Sequence, residues 1–461
     1  MPARRPALSS MITGPVNPKR LTRRAALRAG AMAAALGGIG QVGCAGLAPA
    51  DSQAGLPALV LPAGLGVNLH PGSTALTQIA QLAAVGFRLA RLDLLWDRVE
   101  RRRGHYDFSP YEPIIEALRA RGVRPLCLLG YDNALYERTS AVLSAVAGLH
   151  TEQARLAFAR FAQAAVAHFR GRGIIWELWN EPDNVRFWLP APSPDEYMAL
   201  ATLAVPAMRQ SDPDATIVLP ALTGLEPQYQ VAWDFLERCF ALGLLRLADA
   251  VSVHPYRLGV PESAAFDYQR LRLSIARFTP EGRAVLPIVN TEWGYSLSWV
   301  SRQQQAAYVV RLALVNLLNR VAVSIWYDWQ DDGADPRQLE DNFGLLTWTQ
   351  QPKPAWLAAR TLVRELSGFH LLRRLPLASG ADYALFFTDG VRTRQVVWTQ
   401  AAPHALTVSG AVSTVVVSDM LGKRRTLPLQ DGRATLWVSG EPQYLSAAEA
   451  LAPGLSRGKQ K

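Results

Sequence analysis

The sequence predicts a (β/α)8 barrel followed by a small antiparallel β-domain, and three observations carry that expectation. Between residues 64 and 365, short β-branched runs alternate with amphipathic helical stretches until eight strands are laid down. Polar residues gather at the ends of those runs, where a barrel presents its functional face. Past residue 366 the texture changes to short alternating strands separated by turn residues, the pattern of a small sandwich or sheet.

The strands are expected at 65–70, 87–95, 123–130 and 174–180, then at 216–222, 250–256, 286–293 and 322–329. Helical periodicity fills the gaps, most clearly over 111–122, 155–169 and 303–318, and again over 353–366. A doubly wound sheet would have fewer strands and a glycine-rich first turn, and "LGVNLHPG" is not such a turn. "YALFFTDG", "TRQVVWTQ" and "STVVVSDMLG" exemplify the second region. The expected boundaries are therefore an export segment over 1–50, the barrel over 51–366, a sandwich-like β-domain over 367–447 and a flexible tail over 448–461.

The net charge of +10 would suit a polyanionic partner if it were spread over the folded body. It is not. Seven of the 48 basic residues (Arg4, Arg5, Lys19, Arg20, Arg23, Arg24 and Arg28) fall in the first 50 positions, where no acidic residue occurs. The other 41 face 38 acidic ones, so no nucleic-acid partner is expected. "LTRRAALRAG" (21–30) sets a twin arginine before a weakly apolar run and resembles a twin-arginine export signal. Cleavage after Ala50 and lipidation at Cys44 both remain open, with Cys44 the sole membrane anchor considered. The expected location is the periplasm, the cell surface or the medium, and the expected state is a monomer. Cys127 and Cys239 are expected as buried free thiols, and no Cys/His spacing suggests a metal site.

Strand alternation puts Asn68 with His70, Arg91 with Asp93, Ser252 with His254 and Tyr256, and Ser324 with Trp326 and Asp328. Two carboxylates stand out: Glu181, ending strand four, and Glu292, ending strand seven. A retaining glycosidic cleavage needs two carboxyl groups about 5–5.5 Å apart, one protonated and one ionised. Trp179 is placed to wall Glu181, while Arg91 and Tyr256 are placed to hold Glu292. Glu177 lies one layer deeper and reads as structural, paired with a strand arginine. Tyr131, Trp188, Trp293 and Trp329 are either stacking rings or packing, and Trp96 reads as core.

"WELWNEPD", "VSVHPY", "NTEWGYS" and "SIWYDWQDDG", in that order, resemble the clan A glycoside hydrolases. Within the clan the sequence most resembles family 39 and its bacterial exopolysaccharide-associated endoglycosidase relatives, over residues 64–366, with "NFGLL" and "KPAW" similar as well. The resemblance implies a retaining mechanism on a carbohydrate substrate, with Glu181 as acid/base and Glu292 as nucleophile. It further implies that Asn180 binds the sugar 2-hydroxyl, that His254 and Tyr256 support the pair, and that Arg91 orients the nucleophile. By the same resemblance Trp326 would be a stacking platform, while His70, Tyr131 and Trp293 are binding-surface candidates by their position at strand ends, with packing as the alternative reading. No metal or organic cofactor is implied. The rival readings are a catalytically silent carbohydrate-binding protein and an exopolysaccharide-assembly protein on the same fold.

Overall fold

The computed structural model describes residues 55–447 apart from 71, 73, 74, 138–144, 227, 228, 410 and 411. The twin-arginine segment, Cys44, Ala50 and the C-terminal tail lie outside the described residues. Eight parallel strands close a barrel in chain order, β1 (Leu65–Asn68), β2 (Leu89–Leu95), β3 (Arg124–Gly130), β4 (Ile175–Leu178), β5 (Thr216–Leu222), β6 (Ala250–Val253), β7 (Ile288–Trp293) and β8 (Ser324–Trp326). β8 closes on β1 with Gly66 opposite Ile325. Helices α1 (Ala75–Val85), α2 (Glu112–Arg119), α3 (Glu152–His168), α4 (Pro194–Ser211), α5 (Gln230–Ala241), α6 (Ala264–Phe278), α7 (Arg302–Leu318) and α8 (Pro354–Leu366) follow the strands in turn. Thr151, Ser193 and Ser301 cap α3, α4 and α7 through their hydroxyls, satisfying amides that a helix start leaves unpaired.

One apolar layer floors the barrel: Leu89, Leu126, Ile175, Val218, Ala250, Val289, Val323 and Ile325 meet there, with Leu56 beneath them. Period-two alternation then lifts Arg91 and Glu177 into the next layer, so the charged residues stand above a dry floor. Several strands stop short of their expected ends. β4 ends at Leu178 because Trp179 and Glu181 adopt left-handed backbone, φ 66° and 44°, and leave the ladder. Glu181 N–H is received by Ala221 O at 3.1 Å, and His254 N–H by Leu222 O at 2.7 Å.

The second region is a six-stranded antiparallel sheet facing a two-stranded one. The large sheet runs β14 (Arg424–Pro428), β13 (Thr414–Ser418), β16 (Gln443–Ala447), β11 (Thr393–Thr399), β10 (Asp382–Thr388), β9 (His370–Arg374); the small sheet pairs β12 (His404–Ser409) with β15 (Arg433–Val438). Ala384, Val397, Val417, Val408, Leu436 and Val438 fill the space between the sheets. The opposite face of the large sheet, with Leu385, Phe387, Val396 and Trp398, joins the barrel's own outer core. Cys127 and Cys239 are free and buried. Among the described residues no helix is long and apolar enough to cross a membrane.

Candidate active site

Glu181 and Glu292 come to the barrel mouth from β4 and β7, both buried. One oxygen of each carboxylate and a ring nitrogen of His254 all lie within 4.8 Å of one another. Arg91 ties the layer together. Its Nε donates to Glu177 at 2.8 Å, Nη1 to Glu292 at 2.8 Å and Nη2 to Asn180 Oδ1 at 2.8 Å. Burial works against the guanidinium charge, but Glu177, Glu292 and Asp93 outweigh it and raise its pKa. Glu177 is thus the strand-arginine partner expected from its deeper position.

The two carboxylates differ in company. Glu292 takes the Arg91 guanidinium on one oxygen and the Tyr256 hydroxyl, at 2.8 Å, on the other. Glu181 meets His254 Nδ1 at 2.9 Å and Asn184 Nδ2, which donates to it at 3.0 Å, while the charges of Arg91 and Arg186 favour its ionised form. Burial pushes the Glu181 carboxyl up to about 7 and the His254 imidazole down to about 4. Burial raises Glu292 as well, against the pull of Arg91 and the Tyr256 hydroxyl. The expected cationic support is therefore present, but it offsets desolvation rather than lowering the acid below its ordinary value. With the Arg91 guanidinium hydrogen-bonded to Glu292 and burial lifting Glu181 to about 7, the proton belongs on Glu181.

Asp183, Asn184 and Thr223 also belong to this centre. Asp183 accepts both the amide and the hydroxyl of Thr223, and burial followed by the charge of Glu181 lifts it to about 7. "NEPDN" places Asp183 and Asn184 within three residues of Glu181, a proximity that alternation obscures because the chain has already left the strand.

Two expected stacking rings are corrected. Ile325 points into the barrel floor, so Trp326 lies on the outer face, fully buried, with Nε1 donating to Phe343 O at 3.2 Å. Trp293 is also fully buried, against the Arg257 guanidinium and Tyr295. Neither offers an open ring to a sugar. Trp179 likewise turns away from Glu181, packing on Tyr131, Trp188 and Phe158. Tyr256, Tyr327 and Trp299 gather instead around Phe343, each edge-on to it, with Tyr256 also bonded to Glu292. Tyr131 is half-buried beside Phe187 at the end of β3.

His70 closes the mouth on the β8 side. Its Nε2 faces Asn68 Nδ2 at 3.1 Å and its Nδ1 faces Asp332 at 3.0 Å, with Asp328 at 3.6 Å. Arg91 Nη1 lies 3.4 Å from Asn68 Oδ1, which fixes that amide's orientation. Nε2 then accepts, and Nδ1 carries the proton that Asp332 receives. His70, Asp328 and Asp332 have metal-ligand chemistry and atoms within 4.8 Å of one another, but this tautomer turns a proton, not a lone pair, toward the carboxylates.

A closed eight-stranded parallel barrel, two glutamates at the ends of β4 and β7 and an antiparallel β-domain are the features by which the chain resembles the clan A glycoside hydrolases. No family model matches it. A β-xylosidase from Geobacillus stearothermophilus is 26% identical over 284 residues, which are 55% of each chain, so this chain spans about half the length of the curated relative it matches. A family 39 glycoside hydrolase from the gut symbiont Bacteroides cellulosilyticus WH2 superposes with a TM-score of 0.74 at 26% identity, over 86% of this chain and 81% of the other. A family 39 β-xylosidase from Caulobacter crescentus shares the fold, with a TM-score of 0.62 at 19% identity over 88% and 98% of the two chains. Within the clan, family 39 is the one the chain resembles.

Proposed function

We propose that this protein is a retaining glycoside hydrolase that cleaves β-glycosidic bonds of an oligo- or polysaccharide by double displacement. The observation that carries the reading is the close, unequal carboxylate pair. An oxygen of each lies within 4.8 Å of an oxygen of the other, a closeness that supports retention, for which the two carboxyl groups stand about 5–5.5 Å apart. Glu181, protonated near neutrality, gives its proton to the leaving oxygen while Glu292 attacks the anomeric carbon and forms a glycosyl ester. Glu181, now ionised, takes a proton from water, which attacks the same carbon and releases Glu292. Arg91 and Tyr256 stabilise the Glu292 carboxylate before attack and as it departs. Asn180, fixed by Arg91, is placed to meet the sugar 2-hydroxyl. The twin-arginine segment fits an exported protein acting on polysaccharide outside the cytoplasm.

The β-xylosidases among the relatives make an aryl β-xyloside the first substrate to try, followed by other aryl β-glycosides and bacterial exopolysaccharide fragments. Proton NMR of the first-formed product should show the β-anomer, and Glu292→Gln should lower kcat by roughly 10³-fold or more. An α-anomer as first product would reject the double-displacement assignment. Inertness of the wild type across the panel would favour the catalytically silent alternative.

A further inference from the structure

Glu262 is buried where the barrel meets the β-domain, and no step proposed above uses it. Its carboxylate receives Arg311 of α7 through Nε at 2.7 Å and Nη2 at 2.6 Å. Trp398, on β11 of the β-domain, donates its indole N–H to the same carboxylate at 2.7 Å. Arg311 Nη1 reaches back to Gly440 O, in the turn between β15 and β16, at 3.3 Å. A buried charge is held this firmly only when every lone pair is answered, and here one of the donors comes from the other domain.

Glu262 belongs to the loop that leaves β6, and Tyr256 stands near the start of that loop. Arg257 ties its two ends: Nε donates to Pro255 O at 3.0 Å and Nη1 to Ser263 Oγ at 2.9 Å. The same guanidinium lies over the ring of Trp293, next to Glu292 in sequence, 5.3 Å from its centroid. Tyr295 OH donates to Gly259 O at 2.9 Å, a further tie between this loop and the segment after β7. The loop is thus a ring, clamped at Glu262 by the β-domain and presenting Tyr256 to Glu292.

We propose that the β-domain positions the catalytic centre: Trp398, through Glu262, fixes the 255–263 loop and with it the hydrogen bond from Tyr256 to Glu292. Trp398 is a positioning residue and touches no substrate. The proposal rests on the glycosidase reading for its kinetic consequences but not for its structural one. Trp398→Phe keeps a ring to stack on Tyr383 (centroids 4.6 Å apart) and removes only the indole N–H donor.

Two measurements test it. By hydrogen exchange, amides of 255–263 in Trp398→Phe should exchange roughly tenfold faster than in wild type, with the β3 and β4 amides unchanged. In kinetics, kcat should fall roughly tenfold with KM little changed, and the acidic limb of the kcat profile should move to higher pH, because Glu292 loses a donor to its ionised form. A double-mutant cycle with Tyr256→Phe should be non-additive, the double variant being no slower than Tyr256→Phe alone. Unchanged exchange in the loop overturns the proposal whether or not any glycoside is cleaved. An active wild type with additive effects overturns it too, whereas a wild type inert on all glycosides with the exchange change present overturns only the glycosidase reading. Should Trp398→Phe fail to fold, Glu262→Gln is read by the same exchange criterion.

Discussion

Glu181 and Glu292 lie side by side, and their neighbours set them in different electrostatic surroundings. A carboxyl whose pKa rises on folding binds its proton more tightly in the native state, so ionising it costs stability. For Glu181 that cost starts above its ordinary value of 4.5 and is complete above about 7. It amounts to roughly 3 kcal/mol. Glu181→Gln removes the ionisable group, so the variant should gain stability over wild type at pH 8 and gain little at pH 5, measured as urea midpoints at the two values. An equal gain at both would mean that Glu181 ionises normally. On the proposed mechanism the same group acts protonated, so activity should fall as pH rises through about 7. Arg91 is the second lever at this scale. Lysine cannot bond Glu177, Glu292 and Asn180 from one planar fork, so Arg91→Lys leaves a buried carboxylate poorly paired. A loss of roughly 3 kcal/mol in unfolding free energy is expected, with kcat lowered about 100-fold.

At the scale of strands and loops, the chemistry sits where regular structure ends, and this decides what the sequence could reveal. Arg91, His254 and Asn68 were legible because they stand on or beside regular strands, where alternation fixes the face. Glu181 and Glu292 were legible as residue types at strand ends. Trp326 was misplaced because alternation gives two faces without saying which is inner, and on β8 the floor residue is Ile325. Asp183 and Asn184 were missed because the left-handed turn at Glu181 cancels the period on which the reading relied. Phe343 gathers its three aromatic neighbours from separate loops, an arrangement with no periodic signal. Two substitutions separate the faces of β8. Tyr327→Ala should raise KM several-fold on the proposed reading, because its ring lies edge-on to His70 at the strand ends. Trp326→Phe should leave KM alone while lowering the melting temperature, because it opens a cavity in the outer core and strands Phe343 O. Gly294, just after β7, admits no side chain, since a Cβ there would lie 2.0 Å from Tyr327 O. Gly294→Ala should therefore disturb both strand ends at once, lowering kcat and stability together.

For the whole molecule, the question is whether the barrel can stand without the β-domain. The six-stranded sheet turns one face to its own small partner sheet and the other to the barrel, where Tyr383, Leu385, Phe387, Val396 and Trp398 share a core with α7, α8 and Phe369. Polar ties reinforce the seam: Glu365 of α8 receives Arg424 at 3.0 Å and Ser418 at 3.2 Å, and Gln303 donates to Glu441 at 2.9 Å. Removing the sheet would expose those apolar contacts, each large side chain being worth about 1.5–3 kcal/mol when buried. It would also leave Glu262 and Arg311 on a surface shaped to hide them. Several such losses together reach the whole stability of an ordinary domain, about 5–15 kcal/mol. Residues 55–366 produced alone should therefore fail to give a soluble protein with fixed aromatic packing in near-UV circular dichroism. The intact chain should unfold as one unit, with calorimetric and van't Hoff enthalpies in agreement. Two resolved transitions, the barrel melting apart from the sheet, would show that the seam is an attachment and that the barrel's stability is its own.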